Sequence, residues 1–451
     1  MCIRDRILGR RVLKVEGVGN VVFDDDMYER LKYEIYCEKI GMSILEPMIR
    51  DMYIEDIHCS GVGPIFIDHK IFGHMRTTIE LRDMEEVDRF VIKLSEFVGR
   101  PVSYQNPIVD ATLPDGSRIN IVFGEDISKR GSNFTIRKFA AKPLSIVELI
   151  KYGTMSSLVA AYLWMLLSEK MSVWVCGETA SGKTTTLSAI TAFIPPTAKI
   201  VSIEEVPEVH VPHENWIREV VRETENVASQ ERGAVSMFQL LKAALRQRPT
   251  YIIVGEIRGI EGNIAFQAMQ TGHPVLSTFH AASVSKLVQR LTNYPINVPK
   301  THVDNLNAVI FQTAVHDPET GKYKRRVISV NEILGYEPAE KQFNFVEVFS
   351  WNPAEDSFEF SGPGTSYLLD EKIAVMRGLS GHQVRKVYEE LQMRAEILEF
   401  MLMLGITDYW DVWKNLKWIH NVGIERAHHR YKRACMMKYG PKIEEMVSVR
   451  V

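Results

Sequence analysis

Apolar positions along the chain change their period twice, and each change marks a boundary between kinds of structure. Residues 43–52 and 85–97 carry apolar side chains at helical spacing, whereas 74–81 and 119–123 alternate apolar and polar as half-buried strands do. Pro114, Asp115, Gly116 and Ser117 form a turn between two extended runs, and a basic strand over 134–139 closes this mixed stretch. Residues 20–141 therefore read as an α+β domain, followed by a linker over 142–144 that opens with Lys142 and Pro143. Further on, short apolar runs at 173–176, 199–203, 251–254 and 275–278 predict buried strands, and 184–194, 236–247, 260–270 and 283–291 predict helices between them. Such alternation requires a parallel sheet. Beyond residue 313, turns at 317–322 and 352–356 predict hairpins that complete a domain over 145–365. Residues 366–451 predict a helical region, with helices near 383–403, 408–418 and 424–438 whose many Met and Trp side chains are expected to pack a core.

Composition narrows the class without deciding it. The 451 residues are 45% apolar and 25% charged, as in ordinary soluble globular proteins of two to three domains. With 54 basic against 57 acidic side chains the net charge is −3, so no global field draws the chain to nucleic acid or anionic lipid. The longest near-apolar run, 158–167, is about half a membrane span and predicts a core helix. No signal peptide is expected from the charged start MCIRDR. Cys2, Cys37, Cys59, Cys176 and Cys435 are far apart and make no C-x-x-C pair, which fits reduced thiols in the cytoplasm rather than a disulfide framework or a zinc ribbon.

The chemistry centres on residues 172–186, SVWVCGETASGKTTT. Gly177, Gly182, Lys183 and Thr184 fit the G-x-x-x-x-G-K-[ST] template, placed between an apolar strand and a helix-compatible segment that stops at Pro195 and Pro196. The glycines let the backbone wrap a phosphate, the lysine reaches the β and γ phosphates, and the threonine hydroxyl ligates magnesium. Gly177, Glu178, Thr179, Ala180, Ser181, Gly182, Lys183, Thr184 and Thr185 are thus the expected nucleotide-binding residues, with ATP and Mg2+ as cofactors.

Magnesium and an attacking water also need carboxylates at the carboxyl ends of neighbouring strands. Glu204 and Glu205 end the strand over 199–203, with Glu208 just beyond, and Glu256 follows the run 252–254. Glu205 and Glu256 join Thr184 as candidate metal ligands, and Glu204 and Glu256 are candidates for activating water. His280 closes the strand over 275–278 and faces the same edge, while His273 suits a turn before that strand. Arg118 and Arg137 of the first domain are candidates to neutralise a transferring phosphoryl group, as an arginine finger does.

Four stretches together resemble the secretion ATPases that power type II secretion, type IV pilus assembly and the archaellum. Residues 177–184 are similar to the phosphate loop, Ile203-Glu204-Glu205 with Glu208 to the aspartate box, 254–258 (VGEIR) to the second acidic motif, and 271–281 (TGHPVLSTFHA) to the histidine box. Residues 108–118, 131–139 and 212–216 resemble the archaeal branch, which lacks the four-cysteine zinc module of many bacterial members. No zinc is therefore expected. The resemblance implies an α/β fold in which an N-terminal α+β domain precedes a RecA-like P-loop ATPase domain with a helical C-terminal extension. It further implies a cytoplasmic homo-hexamer docked beneath a polytopic membrane platform protein, acting on pilin-like filament subunits, with Arg118 and Arg137 contributing to the closed site. Because Glu205 stands where the family commonly has Asp, Glu204 is the expected general base. Two other readings share the fold, a nucleic-acid motor and a nucleotide-gated scaffold. Near-neutral charge argues against the first, so no nucleic-acid partner is expected; the full set Glu204, Glu256 and His280 argues against the second.

Overall fold

Two bodies share the chain, Met1–Ala141 and Lys142–Val451. The computed structural model describes residues 3–7, 10–15, 19–138, 142–222, 234–317, 321–340 and 342–440, with side chains from residue 24 onward.

The first body begins with three antiparallel strands, β1 (Ile3–Ile7), β2 (Arg10–Val15) and β3 (Gly19–Phe23). Asp24 then accepts the N–H of Met27 and starts the helix Asp25–Lys39, which periodicity did not predict because its apolar positions are sparse and mostly exposed. The helix expected over 43–52 is shorter, a single turn Ser43–Leu45 running into Glu46–Arg50 with Pro47 in its first turn. A six-stranded antiparallel sheet follows, ordered β6-β5-β4-β9-β8-β7. Its strands are β4 (Ile54–Cys59), β5 (Gly63–His69), β6 (Gly73–Leu81), β7 (Ile108–Thr112), β8 (Arg118–Val122) and β9 (Asn133–Arg137). One face buries Ile57, Ile65, Ile119, Phe134 and Ile136 in a core with Val87 and Val91 of the helix Met84–Phe97. By the two-residue strand period, the opposite face takes Asp56, His58, Asp68, Arg118 and Arg137.

In the second body nine strands form one sheet ordered β12-β11-β13-β14-β10-β15-β16-β17-β18. These are β10 (Val173–Gly177), β11 (Ile200–Glu204), β12 (Trp216–Val220), β13 (Tyr251–Glu256), β14 (Val275–Phe279), β15 (Ala308–His316), β16 (Tyr323–Glu337), β17 (Gln342–Asn352) and β18 (Ser357–Phe360). β12 through β15 in that order pair in parallel, and β15 to β18 continue as an antiparallel meander. The central strand β10 lies between β14 and β15, with β13 and β11 beyond β14, which is the strand order of a RecA-like core. β10, β11 and β14 are buried along their whole length, so their sequences are apolar runs rather than alternations. β12 escaped prediction because it is an edge strand carrying Arg218 and Glu219. The hairpin of β16 and β17 escaped because its turn at 338–340 lacks the Gly and Asn signals of the other two.

The C-terminal helices Arg385–Leu404, Tyr409–Val422 and Ile424–Tyr439 share one hydrophobic core with the sheet and with the helix Ser157–Ser168. Met401 and Trp413 are buried there. Arg394 is buried too, its charge held by Glu390 and by the face of Trp164, 4.7 Å from the ring centre. No described helix is long and apolar enough to cross a membrane.

Candidate active site

β10 ends at Gly177, and the chain turns through 178–182 into the helix Lys183–Ile190. A Cβ on Gly177 would lie 2.1 Å from the Gln312 carbonyl oxygen, so only glycine fits beside β15. Ala180 and Gly182 both take left-handed backbone, with φ of 62° and 91°. That alternation turns successive amides toward one concavity, the geometry of an anion nest. Gly182 caps the helix with no side-chain acceptor, which leaves the first amides of the helix to a ligand. Glu178, Thr179 and Ala180 are exposed, Ser181 is buried with its hydroxyl donating to the Glu178 carbonyl, and Thr184 and Thr185 are half-buried. Lys183 folds back and donates to the same carbonyl at 2.7 Å. Burial lowers its pKa, and the nearby Glu256 charge opposes that shift.

Glu204 is the last residue of β11 and is 1% exposed. One carboxylate oxygen accepts the N–H groups of Glu208 and Val209 at 2.6 and 2.7 Å, and the other lies 3.3 Å from Arg218 Nε. Burial pushes its pKa up against the pull of those donors. Both oxygens are thus committed to holding the turn after β11. Glu205 is half-exposed and 3.5 Å from Arg258. Arg258 also donates to Glu256 Oε2 at 2.7 Å, so it bridges the two acidic motifs.

The other oxygen of Glu256, Oε1, is buried and accepts no hydrogen bond among the described residues, although His280 Nε2 stands 2.9 Å away. The approach is close but misaligned. Burial, followed by the Lys183 charge, lowers the pKa of His280 against the opposing effect of Glu256, so the imidazole is mainly neutral near pH 7. His280 is held in turn by Arg290, which donates to its carbonyl and covers Phe279. His273 sits in the preceding turn with Nδ1 3.1 Å from the Thr271 hydroxyl, away from this chemistry. A magnesium ion fits this donor set: Glu256 offers a buried acceptor oxygen without a donor, and Thr184 offers a hydroxyl at the helix start. Glu205, turned to Arg258, is less free for that task.

Gln312 escaped the sequence reading. Buried in β15, it donates through Nε2 to the Ser181 carbonyl at 2.8 Å and accepts from the Thr186 hydroxyl at 2.7 Å. One side chain therefore ties the end of the phosphate loop and the first turn of its helix to the neighbouring strand. The available signal was a lone amide inside the apolar run AVIFQTAV. Gln312→Ala leaves a buried hydroxyl and a carbonyl unpaired, which costs about 1–3 kcal/mol. We expect a lower melting temperature and an ATP KM raised more than kcat is lowered, measured by calorimetry and steady-state phosphate release.

Arg118 and Arg137 belong to the first body. They are direct cross-strand partners in β8 and β9, and both are exposed. Arg118 is 3.6 Å from Asp110, and Arg137 is 3.3 Å from Asp56. Two guanidinium groups facing each other repel unless an anion lies between them. Phe139, expected on the Arg137 face, lies outside the described residues.

The family model described as type II/IV secretion system protein matches residues 38–343. An uncharacterized protein of Methanocaldococcus jannaschii is 50% identical over 398 residues, 88% of this chain and 71% of that protein. The type IV secretion system protein PtlH of Bordetella pertussis is 29% identical over 274 residues, 56% of this chain and 79% of that protein. Among solved structures, the ATPase DotB of Legionella pneumophila is 15% identical, with a TM-score of 0.46 over 82% of this chain and 92% of that one. The pilus retraction motor PilT with bound ADP is 18% identical, with a TM-score of 0.45 over 82% of this chain and 96% of that one.

Proposed function

This chain belongs to the type II/IV secretion system protein family, and on that premise we propose that it is an ATP-hydrolysing motor. Its work would drive assembly of a type IV pilus-like filament, an archaellum or a type II-like secretion machine. The motor is a cytoplasmic homo-hexamer docked on a polytopic membrane platform protein. The observation that carries the ATPase reading is the convergence of an uncapped helix start, Lys183, the donor-free oxygen of Glu256 and neutral His280 in one RecA-like core.

In this mechanism the loop amides and Lys183 take the β and γ phosphates, Lys183 exchanging the Glu178 carbonyl for phosphate oxygen. Thr184 would hold magnesium with the Glu256 carboxylate beside it, and the ion would supply neutralising charge at the phosphates. Glu256 accepts the proton of the attacking water through Oε1, its orientation fixed by Arg258 at Oε2. The role expected of Glu204 passes to Glu256, since Glu204 spends both oxygens on its own turn. Neutral His280 stands as a donor to the γ-phosphate or the water. Phosphate release from purified protein with Mg-ATP, in the absence of nucleic acid, tests the proposal; no turnover above that of the Lys183→Ala variant would overturn it.

Arg118 and Arg137 complete the charge neutralisation when the N-terminal domain closes over nucleotide. A charge delivered only in the closed state lowers the barrier more than it tightens ground-state binding. Arg137→Ala is expected to lower kcat well beyond any loss of ATP affinity while sedimentation still reports the hexamer. Equal turnover in variant and wild type would remove Arg137 from the mechanism.

A further inference from the structure

On the face of the six-stranded sheet that also carries Arg118 and Arg137, Asp56, His58 and Asp68 bring three ligand atoms within 4.8 Å of one another. We propose that this cluster, with His74, binds a divalent transition metal ion such as Zn2+ or Co2+.

Register carries the argument. Asp56 and Asp68 are direct cross-strand partners on β4 and β5, and Asp68 is the direct partner of His74 on β6. Two carboxylates facing each other across a ladder are destabilising unless a cation is shared between them. The guanidinium at hand, Arg137, reaches Asp56 at 3.3 Å, on the side away from Asp68. His58 Nε2 lies 3.5 Å from Asp68 Oδ2, and His74 Nδ1 contacts Asp68 Oδ1. Two imidazoles and two carboxylates on three adjacent strands suit borderline ions, which take such ligands at about 2.0–2.2 Å and need no thiolate. Ligand atoms in a tetrahedral site of that size lie about 3.4 Å apart, so small rotamer changes draw Asp56, His58 and Asp68 together. Asp56 and Asp68 are half-buried while the His74 side chain is 92% exposed, which leaves an entry path and a fourth ligand that would exchange its contact with Asp68 for the ion. The missing cysteine module excludes thiolate zinc and says nothing against this set.

Occupation would draw Asp56 away from Arg137 and free its guanidinium, a consequence that rests on the role proposed for Arg137. Binding itself does not rest on it. The test therefore uses the untagged full chain without nucleotide, titrated with Zn2+ by calorimetry and with Co2+ by visible absorption. We expect one equivalent per chain that is lost, or weakened at least tenfold, in Asp68→Asn and in His58→Gln, together with tetrahedral Co2+ bands. Both substitutions are at half-exposed strand positions, and circular dichroism checks their fold. Equal binding by wild type and both variants, or no binding by wild type, would overturn the proposal whatever the ATPase assay gives.

Discussion

Lys183→Ala is expected to abolish ATP turnover and to leave the melting temperature of the nucleotide-free protein unchanged or slightly raised. The two halves have one cause. Lys183 is a buried cation whose charge the protein desolvates before any phosphate arrives, which lowers its pKa. Its one hydrogen bond goes to the carbonyl of Glu178, an exposed loop residue that water can satisfy after truncation. Removing the ammonium therefore relieves a cost in the empty state. With nucleotide the balance reverses, because the lost group is the one aimed at developing phosphoryl charge, and loss of one such donor typically costs about a hundredfold or more in rate. The decisive readout is the nucleotide-dependent rise in melting temperature, which follows RT ln(1 + [L]/Kd). It should shrink sharply in the variant at an ATP concentration that saturates wild type. An unchanged rise together with wild-type turnover would take the phosphate away from this loop.

Sequence pattern reached the buried strands because their burial is complete. β10, β11 and β14 have no solvent face, so each is a mostly apolar run, broken only by small hydroxyl residues, that ends where the ligand edge begins. Gly177, Glu256 and His280 were legible for the same reason, each standing where such a run stops, and Lys183 by the spacing of the phosphate loop that follows one. Interactions that join distant parts of the chain left a fainter trace. Gln312 serves the phosphate loop across more than a hundred residues, and only its polarity within an apolar strand betrays it. Arg218 turns Glu204 from a free strand-end carboxylate into a braced one, and it does so from β12, an edge strand too polar to be read as a strand. The pairing of Arg118 with Arg137, and of Asp56 with Asp68, depends on register, which local periodicity specifies in face but not in partner.

Glutamate to glutamine at positions 204 and 256 should give opposite results, although the chemical change is identical. Glu256→Gln removes the basicity of the donor-free oxygen while the side chain keeps its length, so ATP should still bind. The turnover rate should fall about 10² to 10⁴-fold, the usual contribution of a positioned general base. At Glu204 the amide oxygen of glutamine can keep both backbone N–H bonds to Glu208 and Val209, but the amide nitrogen then meets Arg218 Nε donor to donor and that bond is lost. Arg218 retains its bond to the Val209 carbonyl and its contact with the Trp216 ring. Burial raises the pKa of Glu204 in the folded protein, so the fold favours the neutral head group and gains nothing from its charge at pH 7. Glu204→Gln should therefore lower the melting temperature modestly through the lost Arg218 bond and lose less than about tenfold in kcat, the loss expected when no proton transfer is removed. Single-turnover phosphate release with both variants at saturating Mg-ATP separates the cases. A hundredfold fall for Glu204→Gln with intact ATP binding, and a small effect at 256, would return the water-activating role to Glu204 and leave Glu256 as a metal ligand alone.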